Sequence, residues 1–65
     1  MNLGKSIKVA LAIREKRQQD LADHMGKSRQ QISKWISTGS IGSNNVELVC
    51  KYFDMPVSEF VALGE

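Results

Sequence analysis

Apolar residues recur along this chain at intervals of three and four, without the two-residue alternation of a strand. No Asn-Gly or Asp-Gly pair marks a hairpin. The pattern predicts an all-α protein whose helices are punctuated by glycines. The first helix is expected from Leu3 to Lys16. Leu3, Ile7, Ala10, Leu11 and Arg14 share one face, and only Arg14 there is polar. Val9 and Ile13 form a second apolar pair that either widens the buried face or meets another chain.

Boundary signals divide the rest. A short helix is expected over Gln18 to Met25, with Leu21, Ala22 and Met25 on one face and Gly26 as its left-handed end. Asp20 lies in its first turn, where the helix dipole favours negative charge. Ser28-Arg29-Gln30-Gln31 fits a capping box, in which Ser28 accepts from the amide three residues on and Gln31 reaches back. The third helix then carries Ile32, Trp35 and Ile36 and stops near Gly39. After a polar loop, Asn44 with Glu47 signals a fourth helix over about 45–53, with Val46, Val49, Cys50 and Phe53 inward. Pro56 suits the first turn of a fifth. Val57, Phe60, Val61 and Leu63 supply its apolar side, with Gly64 near its end.

Length and charge narrow the picture. Sixty-five residues make a single domain, with no room for a separate catalytic or cofactor-binding unit. A domain this small buries only about 60% of its unfolded surface, so a partner subunit would help it. The net charge of +2 conceals a division. Residues 1–38 hold eight bases and three acids, a net +5, while residues 39–65 hold one base and four acids, a net −3. The first half is suited to a polyanion. The single cysteine, Cys50, excludes an internal disulfide. Lys5 and Lys8 interrupt any signal-peptide core, and no segment approaches the roughly 20 apolar residues of a membrane span. A reduced, cytoplasmic protein without a membrane segment is expected.

Two short helices joined through a glycine, with the small Ala22 on one and Ile32 on the other, form the pattern of a helix-turn-helix over about 18–36. The stretch Gln18-Gln19-Asp20-Leu21-Ala22-Asp23-His24-Met25-Gly26-Lys27-Ser28-Arg29-Gln30-Gln31-Ile32-Ser33-Lys34-Trp35 resembles the Cro/CI-type (XRE-type) helix-turn-helix family. The resemblance extends over nearly the whole chain, since the segments around Val46 to Phe53 and Asp54 to Phe60 are similar to the family's closing two helices. It implies a five-helix, lambda-repressor-like fold and a homodimer on a palindromic operator. Three positions depart from the family's habit. Arg17 stands where Ser or Thr often caps, Asp54 where Gly is frequent, and Pro56 where Ser or Thr is frequent.

With Ile32, Trp35 and Ile36 inward, the third helix must turn Arg29, Gln30, Ser33 and Lys34 outward. Arg can grip guanine O6 and N7, and Gln can pair with adenine N6 and N7. These four are the candidate base contacts, against the plainer reading of a solvated face. Backbone contacts are expected from the motif's edges: Arg17 and Gln18 where the second helix opens, Lys27 and Ser28 in the turn, Gln31, then Thr38 and Ser40 after the third helix. The resemblance supports Gln18, which matches a position that usually touches phosphate. Lys5 and Lys8 add long-range attraction only, and direct contact stands evenly against the plainer reading of a solvated helix face. Val57, Val61 and Leu63 are candidates for a two-fold interface, against completion of the monomer core.

Enzyme readings fail on residue type. Gly-Lys-Ser occurs at residues 4–6 and 26–28, but a phosphate-binding loop needs an earlier glycine where Leu21 stands. His24 is the only histidine, which excludes a histidine-based metal site. Asp20 and Asp23 beside it read as solvated charges. Cys50 and Trp35 fall on inner stripes. No cofactor, metal or small-molecule ligand is expected; the expected partner is double-stranded DNA. The nearest likeness in size is a small phage Cro or minimal repressor. Two alternatives stay open: an antitoxin or accessory regulator with the same core, and a protein-interaction module that does not use DNA.

Overall fold

Helix α1 is shorter than its apolar pattern. In the computed structural model, which describes residues 2–65, it spans Leu3–Ile13. The Asn2 side chain caps it by accepting from the Lys5 amide at 3.0 Å. The expected continuation to Lys16 is not made, because Glu15 adopts φ 55°, in the left-handed region. The amides of Glu15 and Lys16 turn back to the carbonyls of Ala12 and Leu11, at 3.2 and 2.9 Å, and close the helix. Arg14, polar at the end of the apolar face, is exposed but has a partner there. Its Nε donates to the Phe53 carbonyl at 2.8 Å and its Nη2 to the Asp54 carbonyl at 3.4 Å. Val9 is half-buried, and Ile13 remains 51% exposed.

Helices α2 (Gln18–Met25) and α3 (Arg29–Thr38) lie where the sequence puts them. Helix α4 (Ser43–Phe53) begins two residues before the expected start. Asn44 is therefore inside it, and the Asn44–Glu47 cap is not used. Extended backbone at Gly42 supplies the entry, and the Gly42 carbonyl accepts the first helical bond from Val46 at 3.0 Å. Its C-terminal end repeats the closure of α1. Asp54 takes φ 55°, and the amides of Asp54 and Met55 return to Lys51 and Cys50 at 3.2 and 3.1 Å. This turns Met55 under the helix, where it is buried. Pro56 is the capping residue of α5 (Val57–Ala62) rather than a member of its first turn, and its carbonyl accepts from Phe60 at 3.1 Å. Leu63 and Gly64 follow the helix.

Among the described residues these five helices are joined without a strand. Helix α1 packs on α3 and α5, α2 on α3 and α4, and α4 on α5. Fully buried Ile7, Leu21, Ile32, Val49, Phe53 and Phe60 make the centre, with the two Phe rings stacked at 6.5 Å. Burial of each such side chain contributes about 1.5–3 kcal/mol.

The first turn of α1 is a packing site that the apolar pattern does not announce. Gly4 and Ser6 are buried. A Cβ on Gly4 would run into the backbone of Ile36, so α1 and α3 approach to backbone contact there. A Cβ on Gly64 would likewise run into the Asn2 carbonyl and the Ser6 hydroxyl. The N-terminal turn is thus wedged between the end of α3 and the end of the chain. Among the described residues no helix is long and apolar enough to cross a membrane.

Candidate nucleic-acid interface

The turn between α2 and α3 determines how α3 is presented. Gly26 adopts φ 67°, and the Lys27 amide returns to the Ala22 carbonyl at 2.9 Å. A side-chain-bearing residue would be strained at this φ. Fully buried Ala22 and Leu21 then let α2 lie against Ile32 and Trp35 of α3. Ser28 starts α3 by accepting the Gln31 amide on its Oγ at 3.2 Å. Only this half of the expected capping box forms; among the described residues the Gln31 side chain has no hydrogen-bond partner, and it is half-buried.

With one side of α3 in the core, Arg29, Gln30, Ser33 and Lys34 are all exposed. Gln30 and Ser33 are three residues apart, and Arg29 and Ser33, like Gln30 and Lys34, are four apart, so each is a neighbour of the next turn's residues on the helix surface. The expected base-contact residues are therefore brought together. The same spacing adds Ser37, which is exposed and four residues beyond Ser33. It is not among the expected contacts, although its spacing from Gln30 and Ser33 is visible in the sequence. Ser33 differs from its neighbours, because its hydroxyl donates to Gln18 Oε1 at 3.0 Å.

The expected backbone-contact residues ring this face. Arg17, Lys27, Ser28, Thr38 and Ser40 are exposed, and Gln18 is half-buried. Arg17 cannot cap α2 with its side chain, since a guanidinium accepts no hydrogen bond. Instead the Asp20 carboxylate accepts the Arg17 amide at 2.9 Å and lies 3.8 Å from its Nε. The Arg17 side chain is 86% exposed, and such a pair holds it by no more than about 1 kcal/mol. Ser28 accepts on its oxygen and so keeps its proton for an external acceptor.

The far end of α3 is closed more tightly than expected. Thr38 Oγ1 donates to the Lys34 carbonyl at 2.9 Å and accepts the Ser40 amide at 3.3 Å, and the Gly39 amide is held by the Trp35 carbonyl at 2.8 Å. Ser40 therefore offers a hydroxyl rather than an amide.

A basic cleft adjoins the face. Lys8, Lys16, Arg17 and Arg29 line a depression of about 760 Å³ together with Gln18 and Gln19, over Leu11 and Ala12. No acid lines it, so its field favours anions. Lys16 enters the candidate surface only through this folding, because α1 ends early and turns it towards α2. Of the expected interface residues, Val57 is 44% exposed, while Val61 and Leu63 are half-buried. Val57 and Val61 border an apolar groove of about 360 Å³ with Leu3, Ile41 and Val46.

Elsewhere the chemistry is quiet. Burial pushes the Cys50 thiol up from its usual range, which favours the inert protonated form. His24 packs its ring against Tyr52 with centroids 4.6 Å apart. Among the described residues there is no group of His, Cys, Asp and Glu that could hold a metal ion. Compared with known proteins, the chain matches a family model described as helix-turn-helix over residues 7–60. No curated protein and no solved structure matches it.

Proposed function

Since the chain belongs to the Cro/CI-type (XRE-type) helix-turn-helix family of DNA-binding regulators, we propose that it is a Cro-like repressor acting as a homodimer on a palindromic operator. The family is a regulatory one and not a family of enzymes. The observation that carries the proposal is the exposed polar face of α3, whose opposite side is fixed in the core. In this reading α3 enters the major groove, and Arg29, Gln30 and Lys34 read base edges, with Ser33 beside them. Arg17, Gln18, Lys27, Ser28 and Gln31 meet phosphates on one side, and Thr38 and Ser40 on the other. Repression follows from occupancy: a bound dimer excludes polymerase from the same stretch of duplex.

Size supports the dimer. The molecule measures 25 Å along its longest axis. Successive half-sites lie about 34–36 Å apart, so one copy reads one half-site. Val57 and Val61, with Leu63 beside them, are the proposed two-fold contact, continued by the groove against Leu3, Ile41 and Val46.

A binding selection on random duplex DNA across a salt series tests the proposal. The recovered sequences should be palindromic, with half-sites about one helical turn apart, and log affinity should fall steeply with log salt. Arg29→Ala should relax preference at one base position, while Lys27→Ala should weaken all sequences alike and reduce the salt slope by about one. Affinity indifferent to salt would refute DNA binding.

A further inference from the structure

Among the described residues, Ser33 and Gln18 are the one side-chain pair that joins the exposed surfaces of α2 and α3 by a hydrogen bond. A serine hydroxyl has a single proton, and Ser33 gives it to Gln18 Oε1 at 3.0 Å. That bond sets which end of the Gln18 amide is left over. Its oxygen is engaged, and among the described residues its NH2 group donates to nothing. The neighbouring Gln19 is the opposite case, because its NH2 group already donates to Asp23 Oδ1 at 2.8 Å.

Gln18 lies in the wall of the basic cleft with Lys8, Lys16, Arg17 and Arg29. An amide free to rotate would be drawn by these cations to present its oxygen, the wrong end for an anion. The Ser33 bond opposes that rotation. It holds the oxygen on the α3 side and leaves two N–H donors beside four cationic side chains.

We propose that Ser33 is a positioning residue for the phosphate contact at Gln18 rather than a reader of bases, and that the cleft between α1, α2 and α3 widens that contact with Lys8 and Lys16. Gln18 donates to a phosphate oxygen, Ser33 orients Gln18, and Lys8 and Lys16 extend the contact from α1. The proposal rests on the DNA-binding reading above. It also divides the α3 face: Arg29, Gln30 and Lys34 carry sequence preference, and Ser33 carries affinity common to all sequences.

The test uses the full chain, a duplex recovered by selection with the unaltered protein, and a scrambled duplex of the same length, compared at each concentration of a salt series. Ser33→Ala should weaken both duplexes alike by roughly 3- to 10-fold, the effect of losing or misdirecting one charge-assisted hydrogen bond. A repeat selection with Ser33→Ala should return the original base preferences. Gln18→Ala should weaken binding at least as much, and adding Ser33→Ala to it should cause no further loss. In a Gln18→Lys background, where an ammonium needs no orienting partner, Ser33→Ala should be silent. Ser33→Thr keeps the hydroxyl and should recover most of the affinity. Lys16→Ala should weaken both duplexes and lower the salt slope by about one. A merely structural role for Ser33 would lower the melting temperature and would persist in the Gln18→Lys background, and that result would overturn the proposal. Altered preference at a single base position would overturn it too, as would losses that multiply in the double variant; both leave the DNA reading standing. If the unaltered protein shows no salt-dependent duplex binding, both readings fall together.

Discussion

Two residues hold left-handed backbone conformations that glycine usually takes. Glu15 and Asp54 both stand at φ 55°, each closing a helix by returning its own amide and the next to the preceding turn. Asp tolerates this region better than Glu, because its short side chain bonds locally. Glu15→Gly should therefore stabilise the protein by about 1 kcal/mol, and Asp54→Gly by less, as read from urea unfolding midpoints. Equal gains would mean that Asp is no better suited than Glu to this conformation here. Cys50 makes the opposite point, a reactive residue type made inert by its surroundings. Burial raises its thiol pKa. A thiol reagent at neutral pH should label it far more slowly in the folded protein than in denaturant, and equally fast labelling would contradict the burial.

Between elements, backbone contact fixes the angle at which α3 is presented. Gly4 of α1 abuts the backbone of Ile36 near the end of α3. Alanine at position 4 would gain up to about 1 kcal/mol of intrinsic helix propensity. It would also force two helices apart where no flexible side chain can yield, an overpacking that costs about 1–3 kcal/mol. The second effect should win, so Gly4→Ala should lower the melting temperature by several degrees, and an unchanged or raised melting temperature would show that α1 can shift freely. The other joint is Arg14, which ties the end of α1 to the Phe53 and Asp54 carbonyls where α4 closes. Most of this level was legible. Gly26 and Ser28 mark the turn of the helix-turn-helix because left-handed geometry and capping are local requirements of one residue type. The Asn44 signal misled because capping residues also occur inside first turns, and what starts α4 is extended backbone at Gly42.

At the scale of the whole molecule, charge and shape divide the work. The basic first half contributes the exposed face of α3 and the cleft beside it, while the acidic second half contributes α4 and α5. If Val57 and Val61 lie at a two-fold interface, Val57→Glu should give a folded monomer by sedimentation equilibrium. Its affinity for a palindromic duplex should drop steeply while its affinity for a half-site stays nearly unchanged. Val57 is 44% exposed, so the folded monomer itself should tolerate the charge; a variant that remains dimeric would place the interface elsewhere.

Residue order alone determined the helix count, both boundaries of α2, the turn and cap that lead into α3, and the face α3 turns outward. Those features depend on interactions within a turn or two, where spacing in sequence is spacing in space. Gly4 against Ile36, Arg14 on the end of α4, and Ser33 bound to Gln18 fifteen residues away were decided only by tertiary structure. So was the meeting of Lys8, Lys16, Arg17 and Arg29 in one cleft. Each joins residues whose distance is set by how helices cross, and no local pattern of polar and apolar positions encodes a crossing.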